Sequence, residues 1–355
     1  MPPHFQQIDH LPNRTVLIDG LEHLFFSGTS YLGLPQNPDF QALIREGLQQ
    51  YGSVYGSSRN GNLQLAVYEQ AEEKLAAWAG SEAALTLSSG MLAGQAVVRQ
   101  LWLEGYEFMY SPDAHPAVWH TPQVEIPAVS FEEWALEIGD SIPKNKKIAL
   151  ITNSTDALRG KPHDFEWVKH LPNLPIALVV DDSHGLGVRG SSVFRQFPHD
   201  PQLRTIVTAS LAKGMGLAGG VIFSDKATLQ TIRNSAYFAG CSPVAPHQLW
   251  AYLFADALYA QAQTQLEANI ALFISEIKAL NLFSYDQNYP VFYTEHDDLY
   301  SFLLQNQVLI YSFSYPKPTD KANTRVVLSA WHTAADIQKL GELCQRFVAQ
   351  NGDFV

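Results

Sequence analysis

Val179-Val180-Asp181-Asp182-Ser183-His184-Gly185 and, further on, Thr208-Ala209-Ser210-Leu211-Ala212-Lys213-Gly214 decide how this chain is read. The apolar run Ala177-Leu178-Val179-Val180 reads as a strand that ends on a carboxylate, and Thr205 to Thr208 reads as a second strand leading into a small-residue turn that carries a lysine. Outward from this pair, strands are expected at Ala83 to Leu87, Glu107 to Tyr110, Ile148 to Asn153, Ile176 to Asp181 and Gly219 to Ser224, with a helix from Met91 to Leu103 after the first. Strands alternating with helices indicate an α/β layer with a mostly parallel sheet. Upstream, Thr15 to Glu22 reads as a hairpin with an Asp19-Gly20 turn, and apolar spacing predicts helices from Asn37 to Gln50 and Leu63 to Trp78. Downstream, Pro246 to Leu280 reads as one long, kinked helix. It leads to an α+β unit with strands at Pro290 to Thr294 and Arg325 to Ser329 and a final helix from Thr333 to Gln350. No repeat or low-complexity tract interrupts this order.

A chain of 355 residues can bury a large core and divide into a large and a small domain. The 23 basic and 35 acidic residues give a net charge of −12, which argues against a general nucleic-acid or anionic-membrane surface while leaving room for a local basic pocket. Cys241 and Cys344 form neither a disulfide framework nor a metal-ligand spacing, so no metal site is expected and a reducing cytoplasm is the natural compartment. Met1-Pro2-Pro3-His4 opens no signal peptide, and no apolar run approaches the ~20 residues of a membrane span.

An aspartate at a strand end and a lysine in a following turn are the two groups that pyridoxal 5'-phosphate chemistry requires. The carboxylate keeps the pyridine nitrogen protonated, and the amine forms a Schiff base with the aldehyde. Each residue taken singly also fits a plainer role: an Asp-Asp pair as strand-end turn chemistry, Lys213 as a surface lysine. Their order carries more weight than either alone. Strand, Asp181, His184, second strand, Ser210 three before Lys213, glycine-rich turn and the apolar run Gly219 to Phe223 together resemble the fold-type I pyridoxal phosphate enzymes. Within them, the chain resembles the α-oxoamine synthases.

The resemblance implies a mostly parallel, seven-stranded-type sheet in a large domain over 51–245. Residues 1–50 would serve the small domain and the substrate entrance, and 246–355 would form a linker helix and a smaller α+β domain. It implies a phosphate turn at Ser89-Gly90-Met91, where Met91 replaces a common aromatic, with Ser210 as a second phosphate hydroxyl. A Ser-Gly before a helix is also an ordinary cap. Ser242 would reach the phosphate of a neighbouring subunit, which implies a homodimer with shared active sites. His115 would stack on the pyridine face, and His184 and Asn153 would approach the cofactor's phenol oxygen. A loop histidine and a strand-end asparagine are the alternatives for His115 and Asn153. Arg325 would bind the amino-acid carboxylate, for which a guanidinium fork is well shaped, and Arg59 would lie in a Gly-rich loop near the entrance; a surface arginine on an edge strand is the other reading of Arg325.

Two segments depart from the family pattern: Gly28-Thr29-Ser30 replaces a Ser-Asn-Asp, and Ala157-Leu158-Arg159-Gly160-Lys161 replaces a Ser-Met-Asp-Gly-Asp. The expected reaction is acylation of a small amino acid at carbon by an acyl-CoA, giving an α-amino ketone. The rivals are an aminotransferase using the same Lys213 and Asp181, and a fold that has lost catalysis and serves as a binding partner. Intact Lys213, Asp181 and His184 speak against the last.

Overall fold

The computed structural model describes residues 7–197, 200, 202–314 and 321–352, so Met1 to His4 lie outside it. Two compact units are present. The larger takes Asn37–Asp156 and Pro162–Asp256; the smaller takes the described residues up to Gln36, Ala157–Lys161 and those from Ala257 on. The first boundary therefore falls at Gln36 and not at residue 50. The helix Pro38–Tyr51, capped by the Asn37 side chain on the N–H groups of Asp39 and Phe40, packs against Pro246–Phe254 within the larger unit.

The larger unit's sheet runs in the order Ala83–Leu87, Gly220–Ser224, Leu203–Ser210, Ile176–Asp181, Ile148–Asn153, Glu107–Tyr110. Gly220–Ser224 is antiparallel to both neighbours, and the other pairs are parallel. Ile176–Asp181 is buried at every position, as expected of a central strand covered on both faces. Val97, Val98 and Leu101 of the helix Gly90–Leu103 close one face against Leu87, Ile151, Val179 and Ile222. The sheet has six strands among the described residues, against the seven implied. Val124 and Ile126 alternate as in a strand and pack on the core, but Pro122 and Pro127 bracket them without N–H donors, and no ladder forms there. In register, Asn153 opposes Asp181 and Asp181 opposes Thr208. The carboxyl ends of these strands thus share one edge, where ligands bind in open α/β sheets.

The expected single helix from Pro246 is two, Pro246–Phe254 and Asp256–Ile277, separated at Ala255 (φ −98°, ψ 16°). Lys74 provides the reason: its Nζ donates to the carbonyls of Tyr252 and Leu253 at 3.0 and 2.8 Å, satisfying a helix end that would otherwise have to continue. No described helix is long and apolar enough to cross a membrane.

The smaller unit's sheet runs Thr15–Ile18, Leu21–Phe26, Val308–Ser314, Ala322–Val327, Val291–Thr294, Ser284–Tyr285. Asp19 and Gly20 turn the first hairpin with φ of 51° and 79°, the left-handed pair that matches strand twist. Leu24 to Phe26 then pair in parallel with Val308 to Ile310.

His332 is 2% exposed, lies on the Phe26 ring at 4.0 Å, accepts the Ser329 N–H at Nδ1 and donates from Nε2 to the Phe25 carbonyl. Burial lowers its pKa from 6.5 to about 4. A histidine depressed on folding contributes stability that is present above the unfolded value and is lost as pH falls from 6.5 toward 4. Urea melts across that window should show about 3 kcal/mol of lost stability that is missing from His332→Gln.

Candidate active site

Asp181 closes its strand with 7% exposure. Its Oδ1 accepts the Ser183 N–H at 2.9 Å, and its Oδ2 lies 3.8 Å from His115 Nδ1. Strand residues alternate between faces, so Asp182 points the other way. Its Oδ2 accepts from Ser192 Oγ at 3.0 Å and the Val193 N–H at 2.9 Å, and burial pushes its pKa up to about 6. The two neighbouring carboxyls therefore do different work: one faces the strand edge, the other fastens a loop.

Lys213 reaches the same edge because its turn packs closely on the loop after Asp181. A Cβ on Gly214 would lie 2.5 Å from the Leu186 carbonyl oxygen, so only glycine permits that approach. The result sets Lys213 Nζ 2.6 Å from His184 Nε2.

Ser89 and Gly90 meet Ser210 here too. Ser89 caps the helix Gly90–Leu103 by accepting the Leu92 N–H at 3.1 Å. A Cβ on Gly90 would fall 2.7 Å from Ser210 Cβ, and one on Gly220 would fall 2.2 Å from the Ser89 carbonyl oxygen. Two hydroxyls thus stand at a helix N-terminus, whose free N–H groups favour an anion. Met91 follows, 53% exposed.

His115 begins the short turn Pro116–Val118, and its Nδ1 accepts the Ala117 N–H at 3.1 Å. Burial holds the imidazole below its ordinary range; Asp181 pulls the other way and Lys213 adds to the depression. Asn153 braces this loop: its Oδ1 accepts the His115 N–H at 3.2 Å and its Nδ2 donates to the Asp113 carbonyl.

Three expected residues lie outside this group. Ser242 is exposed, after Cys241. Arg325 belongs to the smaller unit and is no surface residue on an edge strand. Its strand lies between two others, and it is 4% exposed with its guanidinium 4.1 Å from the Tyr311 ring centre. Its Nη1 donates to the Ala157 carbonyl, while Nε is buried without a partner among the described residues. Arg59 requires correction. It is 7% exposed, bonds both Glu72 oxygens at 2.6 and 2.8 Å and stacks on Tyr68, so its fork is committed inside the fold and cannot take a substrate at the entrance.

A family model, aminotransferase class I and II, matches residues 26–345. The chain belongs to the class I and II aminotransferase family. Among relatives, an 8-amino-7-oxononanoate synthase of Thioalkalivibrio sulfidiphilus is 24% identical over 359 residues, covering 95% of this chain and 91% of its own. A serine palmitoyltransferase of Bacteriovorax stolpii is 22% identical over 303 residues, covering 81% and 71%. A serine palmitoyltransferase from S. paucimobilis, solved with PLP and myriocin bound, superimposes with a TM-score of 0.81 at 16% identity over 98% of this chain and 93% of that one.

Class I and II aminotransferases use pyridoxal 5'-phosphate, and this member's residues fit it. A lysine amine, a strand-end carboxylate and a hydroxyl-lined helix N-terminus share one sheet edge, and Gly90 has no room for a side chain. No described cluster of His, Cys, Asp and Glu could hold a metal ion. Sequence reasoning passed over Ser183, whose Oγ accepts the Ser210 N–H at 2.8 Å and whose own N–H meets Asp181. It ties the Asp181 carboxylate to the segment that carries Ser210. The only sequence signal is a small hydroxyl residue between Asp182 and His184.

Proposed function

We propose that this family member is a pyridoxal phosphate-dependent acyltransferase of the α-oxoamine synthase type. It would join the acyl group of an acyl-CoA to the α-carbon of a small amino acid, releasing CoA and carbon dioxide and leaving an α-amino ketone. One observation carries the reading: Lys213, His184, Asp181 and His115 meet at one sheet edge, in a chain whose relatives are named for oxononanoate synthesis and palmitoyl transfer.

When bound, pyridoxal phosphate supplies a ring that draws electrons away from the substrate α-carbon. Lys213 would anchor it through the amine and would move a proton at the substrate α-carbon. His184 holds the Lys213 amine in position. Asp181 would keep the ring nitrogen protonated, His115 would cover the ring face, Asn153 steadies His115, and Ser89, Gly90 and Ser210 would receive the phosphate beside Met91. The Arg325 guanidinium has the fork shape that suits an amino-acid carboxylate, and its Nε has no acceptor among the described residues. Exposed Ser242 serves the site of a second copy, which makes the working form a homodimer. Free Cys241 and Cys344 suit a reducing cytoplasm.

Purified protein incubated with glycine, alanine or serine and short, medium or dicarboxylic acyl-CoAs should release free thiol with at least one pair. The family model's own description favours a second reading, an aminotransferase. Keto acid formation from the amino acid with no thiol from any pair would replace the first reading with the second.

A further inference from the structure

We propose that His163 is a positioning residue for this site: through Asp113 it fixes the loop that sets His115 beside Asp181. The inference rests on the function proposed above and adds a residue for which that reading has no role.

His163 has a side chain only 3% exposed and lies flat on the Phe131 ring, 3.6 Å away at 12°. That stack fixes the imidazole plane and aims Nε2 at Asp113 Oδ2, 2.6 Å distant. The other carboxylate oxygen takes the Ser111 hydroxyl at 2.8 Å, and the Asp113 carbonyl takes Asn153 Nδ2. Asn153 then passes the constraint to the His115 N–H. By a second route, the His163 N–H donates to the Ser154 carbonyl at 3.0 Å and the Ser154 N–H donates to the Asp181 carbonyl at 2.9 Å. One residue thus holds both His115, by its side chain, and the Asp181 strand end, by its backbone.

A merely space-filling residue would not need this chemistry. Nδ1 of His163 is buried with no partner among the described residues, a cost that phenylalanine on the same stack would not carry. The return is at Asp113. Burial pushes that carboxyl up, but the hydrogen bond and charge of His163 and the Ser111 hydroxyl outweigh it and hold it below the usual range. Without Nε2, a largely buried carboxylate lacks its main partner and turns toward Asn153 or water, and the loop turns with it.

His163→Phe keeps the stack and removes the donor; His163→Gln keeps a donor without the ring. The first readout is the proton NMR titration of His115 in protein stripped of cofactor, assigned by its loss in His115→Asn. Asp181 and Lys213 are among the charged groups that face this ring. His163→Phe should raise the His115 midpoint toward that of a free imidazole, because the ring loses its enclosed setting. In holoenzyme it should lower kcat on the order of tenfold at unchanged amino-acid KM, with His163→Gln recovering to within about threefold of wild type. A His115 midpoint and kcat at wild-type values, with only the melting temperature reduced, overturn the inference. Should His163→Phe fail to fold, Asp113→Ala removes the acceptor from the other end and must shift His115 in the same direction; an unshifted midpoint there is equally fatal. Cofactor attached elsewhere than Lys213 would sink the reading beneath, whereas an unmoved His115 in protein still loaded at Lys213 sinks this inference alone.

Discussion

Lys213→Ala protein, reduced with borohydride in the presence of pyridoxal phosphate, carries no pyridoxyl label, and its turnover falls by about a thousandfold or more. The size follows from the double use of one amine. Lys213 is half-buried, and its Nζ meets His184 at 2.6 Å on the edge where Asp181 ends its strand. On the function proposed above, alanine would remove both the anchor for the aldehyde and the base beside the α-carbon. The turn itself survives, because its shape comes from Gly214 against Leu186 and from the Leu211 N–H on the Gly219 carbonyl. Wild-type protein treated in the same way should yield a single labelled peptide containing Lys213. Label recovered on Lys226 or any other lysine would dismantle the whole assignment of the site.

Asp181→Asn and Asp182→Asn should part company by a wide margin. An asparagine at 181 can still accept the Ser183 N–H, so the loop keeps its shape, but the negative charge that the proposed function assigns to the ring nitrogen would be gone. Exchange of the substrate α-proton should then slow by about a thousandfold, a loss of roughly 4 kcal/mol in the barrier. Asp182 faces Ser192 and Val193 instead. Its amide variant has one acceptor oxygen where the carboxylate has two, and the mismatch should lower stability by about 1–3 kcal/mol while leaving exchange within about tenfold of wild type. Deuterium exchange followed beside thermal melting separates the two effects. Equal losses of exchange, or the opposite ranking, would refute the assignment of Asp181 to the cofactor.

The strands of the larger sheet are legible nearly to the residue, because Ala83–Leu87, Glu107–Tyr110, Ile148–Asn153 and Ile176–Asp181 are apolar stretches bounded by turn or polar residues. Ala322–Val327 is harder: Asn323 and Thr324 belong to its ladder, and polarity there hides three residues of strand before Arg325. The kink expected in the helix from Pro246 cannot be placed at Ala255 from local residues, since Lys74 on another helix binds the carbonyls there. The site divides in the same way. Ser89-Gly90 and the Asp181-to-Lys213 stretch are chemical groupings that a single reading frame displays. Arg59 is misread because its partner, Glu72, lies 13 residues on and declares itself only when both are buried. His163 and Asp113, 50 residues apart, share no period or motif that would join them.

The pairing of Leu24 to Phe26 with Val308 to Ile310 has a consequence for biosynthesis. A ribosome delivers the whole of the larger unit, through Asp256, before it has made the strand that the first hairpin must join. The hairpin therefore waits, with Phe26, fully buried in the finished protein, lacking its parallel neighbour for most of the time the chain is being made. A nascent chain arrested far enough past residue 256 for Asp256 to have left the ribosome, but with Val308 still inside it, should resist protease across the larger unit and remain open to cleavage near Leu21–Phe26. Any chaperone that attends this protein during synthesis has its work at the amino-terminal end.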